Sequence, residues 1–116
     1  MKSQLVAVYG TLKQGCCNHS VLQEATFVGS FVTPPSYSML NIGEYPALIT
    51  GGSTAIRCEV YRVNQQHMVN LDALEDYPHL YTRRHIETPF GQAWLYLWNK
   101  SPQGYPLINH GNWSEG

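Results

Sequence analysis

At 116 residues the chain has the size of one domain, and we expect a single folding unit over residues 1–116 with room for one real core. With 43% hydrophobic and only 13% charged residues, the composition is globular, and a surface this poor in Lys and Glu points to extra burial or self-association, as monomer or homodimer. A net charge of −1 without any Lys/Arg run argues against nucleic-acid or anionic-membrane binding, since both need a basic field.

The first expected element is a strand over residues 4–9, built on the apolar run Leu5-Val6-Ala7-Val8 and entering a glycine loop from Gly10 to Gly15. Such a strand end aims backbone N–H groups outward and can hold a carboxylate or an oxyanion without a cationic side chain. The loop is no phosphate loop, because no GK[ST] closes it. Asn18 is the expected N-cap of a short helix carrying Val21 and Leu22. From Ala25 to Tyr61, β-rich runs are punctuated by Pro34-Pro35, Asn41-Ile42-Gly43, Pro46 and Gly51-Gly52, the pattern of short antiparallel strands. That much sheet in a short chain tends to curl, and full or partial barrel closure would remove its exposed edges.

Asn64 then caps the main helix, in which Met68, Leu71 and Leu74 recur at three-residue spacing and which Pro78 stops, leaving Glu75 near its C-terminus. Two strands follow, about Tyr81 to Thr88 and Gln92 to Asn99, joined at Pro89-Phe90-Gly91. The tail from Ser101 reads as irregular, with Trp113 available to pack back onto the body. The expected fold is therefore α+β: a small mixed or antiparallel, β-barrel-like sheet with one main helix and short helices.

No stretch approaches the ~20 apolar residues of a membrane span, and the N-terminus lacks the pattern of a signal peptide. Three cysteines suit neither a disulfide framework nor a zinc ribbon, which fits a reducing, cytoplasmic setting. The five histidines show no HxxxH or HExxH spacing and the cysteines no CxxC, so neither metal nor cofactor is expected.

Four short stretches carry a family resemblance. Val8-Tyr9-Gly10-Thr11-Leu12-Lys13, followed by Asn18-His19, the strand Cys58-Glu59-Val60-Tyr61 and the segment Leu71 to Arg83, resemble in order and spacing the gamma-glutamylcyclotransferase-like family, especially its gamma-glutamylamine cyclotransferase branch. The likeness runs from about residue 5 to residue 98, departing at Arg57-Cys58, where the family commonly has glycine before the glutamate. It implies a small-molecule gamma-glutamyl substrate whose free α-amine attacks its own side-chain carbonyl, leaving 5-oxoproline and a released amine. It also implies that Glu75 is the general acid/base, that Tyr9, Gly10, Thr11 and Leu12 hold the glutamyl unit through their amides, and that Tyr81 shapes the pocket beside the glutamate. Arg83 and Glu59 match family positions too, but a strand arginine paired with a strand glutamate is as readily structural.

The residues themselves support an activated carboxyl. Glu75 faces the negative end of a helix dipole, the like charge of Asp76 and desolvation by Tyr77, Leu80 and Tyr81, and all three raise a carboxyl pKa. Two rival readings use the same residues. The pocket could bind a small carboxylated ligand without chemistry, or Trp94, Trp98 and Trp113 could serve an interaction surface, although strand faces suit those tryptophans better.

Overall fold

The computed structural model describes residues 3–113. Among the described residues, eight strands and one α-helix make up an α+β fold: β1 (Gln4–Val8), β2 (Thr26–Val32), β3 (Tyr37–Asn41), β4 (Pro46–Thr50), β5 (Arg57–Val63), α1 (Gln65–Leu74), β6 (Tyr81–Thr88), β7 (Gly91–Trp98) and β8 (Leu107–Ile108). A five-stranded sheet runs β2-β5-β1-β7-β6, and a three-stranded sheet runs β4-β3-β8. Neither sheet closes on itself. The expected curling is met by splitting into two sheets, with β2 and β6 as edges of the larger one.

The sheet is mixed because β1 lies antiparallel to β5 but parallel to β7, with Val6 opposite Trp94 and Ala7 opposite Leu95. β1 is thus central and buried on both faces, which is why its sequence is continuously apolar rather than alternating. Val6 and Val8 enter a core shared with Met68 and Leu71 of α1, whereas Ala7 and Tyr9 enter a second core shared with Met39 and Leu48. β7 alternates in the same sense. Leu95 and Leu97 face the second core, while Tyr96, Trp94 and Trp98 pack on the first, so Trp94 and Trp98 belong to a strand face.

Local chemistry accounts for the remaining elements. Asn64 caps α1 by accepting the His67 N–H, and the His67 ring returns the bond by accepting the Asn64 N–H, a reciprocal capping box with histidine in the usual place of Glu or Gln. The helix ends at Leu74, before Pro78 can act. Asp76 takes the left-handed conformation at φ 51°, its N–H bonds the Ala73 carbonyl, and the Tyr77 N–H bonds the Asp72 carbonyl, so the stop is a Schellman motif. β6 and β7 pair from Tyr81↔Trp98 to Thr88↔Gly91 around the expected tight turn, where Gly91 sits at φ 117°.

Two expectations need correction. Asn18 makes no side-chain cap on the short 3-10 turn His19–Leu22; its amide is engaged elsewhere, as described below. The tail is not wholly irregular, because Leu107 and Ile108 pair with Leu40 and Met39 of β3, and Trp113 packs against the second core. Residues 114–116 of that tail lie outside the described residues. No helix among the described residues is long and apolar enough to cross a membrane.

Candidate active site

Where the parallel strands β1 and β7 end side by side, the chain leaves a cavity of about 190 Å³. Tyr9, Gly10, Thr11, Leu12, Glu75 and Tyr81, the six residues singled out from sequence, all line it. Leu80, expected beside Glu75, lines it too, whereas sequence reasoning did not place Tyr45 and Pro46 at the start of β4, Tyr96 of β7, Asn18 or Leu74 at the site. No local signal could have found Tyr96 or Pro46, which reach the cavity only through strand pairing.

One wall is the loop after β1. Among the described residues, the Gly10, Thr11 and Leu12 amides donate to no protein oxygen. Everything around them is tied down. The Lys13 N–H bonds the Gly10 carbonyl, the Asn18 N–H bonds the Thr11 carbonyl, and the Asn18 side-chain amide donates to Thr11 Oγ1 at 2.9 Å. The His19 ring donates through Nδ1 to the Leu12 carbonyl at 2.9 Å, and Glu59 accepts the Gln14 N–H at 2.9 Å. Lys13, only 7% exposed, reaches the other way and donates to the Trp113 carbonyl and to Asn112 Oδ1. Gly10 is required for a specific reason: a Cβ there would come within 2.8 Å of the Pro46 ring. The loop is therefore a fixed backbone surface with unspent donors, the arrangement that stabilises negative charge without reorganisation.

The opposite wall is Glu75, the C-cap residue of α1. Burial raises its carboxyl to about 7, the desolvation expected from its apolar neighbours. The residue as a whole is half-buried, so the effect falls on the carboxyl inside the cavity wall. No hydrogen bond to the Glu75 side chain forms among the described residues, which leaves the anion uncompensated. Three nearby tyrosines explain why. Tyr9 donates its hydroxyl proton to the Tyr96 carbonyl, Tyr81 to the Pro46 carbonyl, and Tyr96 to Asp72 Oδ1. Burial keeps all three phenols well above their ordinary pKa, so they remain protonated.

Arg83 does not pair with Glu59. Its guanidinium grips Asp72 with two bonds of 2.9 and 3.1 Å and lies over the Tyr77 and Trp94 rings, joining β6 to α1 one turn before Glu75. Glu59 accepts from Tyr61 as well as from the loop. Cys58, at the position where the glycine was expected, is fully buried, and its thiol is pushed up to about 12 by desolvation. It is packing, not chemistry. No group of three or more His, Cys, Asp or Glu among the described residues could hold a metal.

The chain as a whole is similar to known proteins. The family model described as gamma-glutamyl cyclotransferase, AIG2-like, matches residues 6–115. The chain belongs to that family. A protein of Vibrio cholerae serotype O1, described only provisionally as a gamma-glutamylcyclotransferase, is 42% identical over 96% of both chains. The gamma-glutamylcyclotransferase family protein YtfP of Escherichia coli K12 is 33% identical over 93% of this chain and 94% of its own. Among solved structures, the Mus musculus aig2-like protein superposes with a TM-score of 0.84 at 28% identity, covering 98% of this chain and 90% of its own. The Escherichia coli ytfP solution structure gives 0.77 at 34% identity, covering 95% and 96%.

Proposed function

We propose that this member of the family is a cyclotransferase acting on a gamma-glutamyl amine or amide, with Glu75 as general acid/base and no covalent intermediate. The observation that carries this reading is a buried, unbonded carboxyl with a pKa of about 7 facing loop amides that have no protein partner across one small cavity. A base poised near neutrality is suited to taking a proton from an ammonium.

In the reaction, the glutamyl unit folds so that its α-nitrogen approaches its own side-chain carbonyl carbon. Glu75 takes a proton from the ammonium, the nitrogen forms the new C–N bond, and the carbonyl oxygen becomes an oxyanion held by amides from the Gly10 to Leu12 loop. Collapse re-forms the carbonyl as the old C–N bond breaks and Glu75 returns that proton to the departing nitrogen; the ring nitrogen, cationic since the attack, gives its second proton to the released amine, which leaves as an ammonium. Attacking and attacked groups belong to one molecule, so holding a near-attack geometry replaces a protein nucleophile. Thr11 accepts from Asn18 and has no base beside its hydroxyl among its bonds, which favours a backbone role for it.

The test is release of 5-oxoproline across a panel of gamma-glutamyl peptides, lysine isopeptides and simple gamma-glutamyl amines. Turnover of one class sustains the reading. Binding without 5-oxoproline from any compound would make the cavity a receptor for a carboxylated ligand instead.

A further inference from the structure

The donors and acceptors of the cavity are segregated, and this fixes which way a glutamyl group enters. Donors without a protein partner lie on the loop wall, at the Gly10, Thr11 and Leu12 amides. Around Glu75 the polarity is reversed. The phenols of Tyr81 and Tyr96 line the same cavity and lie close enough to interact with the Glu75 charge, yet each has given its only proton away, to the Pro46 carbonyl at 2.9 Å and to Asp72 Oδ1 at 2.7 Å. A phenol whose proton is committed has only lone pairs left to offer. Tyr9 differs, because it packs into the second core with its proton on the Tyr96 carbonyl. No Lys, Arg or His lines the cavity among the described residues, and Arg83, the nearby cation, is held by Asp72.

We propose that the Tyr81 and Tyr96 hydroxyl oxygens, together with Glu75, form an acceptor-only subsite for the substrate's α-ammonium, leaving the loop amides for its oxygens. This rests on the reading of the cavity as a glutamyl site and deepens it by assigning the ends of the ligand. Asp72 and Arg83 are positioning residues here: Arg83 fixes both carboxylate oxygens of Asp72, and Asp72 in turn keeps the Tyr96 proton turned away from the ammonium.

The experiment compares two ligands that differ only in the amine: L-gamma-glutamyl methylamide, and the methylamide of glutaric acid, which has the same skeleton without the ammonium. Calorimetry is done on folded Glu75→Gln protein, which keeps the first ligand intact, and on the double variants adding Tyr81→Phe or Tyr96→Phe. The parent should prefer the ammonium-bearing ligand, and each phenylalanine should cut that preference about tenfold, the scale of a hydrogen bond to a charged group. Affinity for the amine-free ligand should stay within about twofold, a control that damage to packing would not pass.

An unchanged preference in both double variants, no preference in the parent, or equal losses for both ligands would each overturn the subsite. Wild-type release of 5-oxoproline is scored separately. Turnover with an unchanged preference would refute the subsite and spare the reaction, whereas the expected loss of preference without turnover would keep the subsite and refute the reaction.

Discussion

The two walls of the cavity are held in opposite ways. On the loop wall the groups facing the ligand are backbone amides, and the surrounding side chains (Asn18, His19, Glu59 and Lys13) serve to fix the backbone. On the facing wall the working group is a side chain, Glu75, and the backbone beneath it is fixed by a helix stop and by the Asp72–Arg83 pair. Substitutions should therefore act differently on each side: identity matters at Glu75, whereas at residues 10–12 the presence of an N–H matters more than the side chain.

The largest effect belongs to the side-chain wall. Glu75→Gln removes the base while nearly preserving volume, and kcat should fall by about 10² to 10⁴ with ligand binding retained. Steady-state 5-oxoproline assays beside calorimetry check this, and a kcat within a few-fold of wild type would take Glu75 out of the mechanism.

Next comes the backbone wall. Thr11→Pro deletes one amide and should cost on the order of 10² to 10³ in kcat. Thr11→Ala loses only the bond from Asn18 and should stay within about tenfold of wild type. An inactive but folded Thr11→Ala protein would mean that both walls work through side chains.

Support of the loop can be weakened from behind. Lys13→Met keeps the apolar stem but leaves the Trp113 carbonyl and Asn112 without their donor. Chemical denaturation should show a loss of about 1.5–3 kcal/mol, with activity lowered only several-fold. A loss of activity as large as that of Thr11→Pro, without a stability change, would place Lys13 in the chemistry.

The smallest effect is on stability and has a definite sign. The Glu75 carboxyl holds its proton to about pH 7 in the folded protein but releases it near 4.3 when unfolded. Between those values the unfolded chain binds fewer protons, so stability falls as pH rises from about 4.3 to about 7. Glu75→Gln escapes that loss. Discounted for the cavity's contact with solvent, the variant should gain roughly 1–3 kcal/mol over wild type at pH 8 and nothing near pH 4. A gain of equal size at both pH values would trace to packing rather than to charge.

What sequence made legible follows from the same contrast. β1 and α1 were readable because their signals are local: a continuous apolar run, and an asparagine cap followed by apolar residues at helical spacing. The cavity residues on those two elements could be named for that reason. Tyr96 and Pro46 could not, since they reach the cavity only through pairing of distant strands, and Lys13 meets a carbonyl 100 positions away. The two-residue β8 has no periodicity to detect, and Asp76 gives no glycine signal for the left-handed stop. Desolvation of Glu75 was foreseeable from its apolar neighbours.

The account rests on one carboxyl whose surroundings bring its titration up to neutrality. Titration of the side-chain carboxyl ¹³C resonances by NMR, with the Glu75 signal assigned by its absence from Glu75→Gln, reads that property directly. We predict a midpoint of about 7 for Glu75 in the ligand-free protein. A midpoint at the ordinary glutamate value of about 4.3 would contradict it.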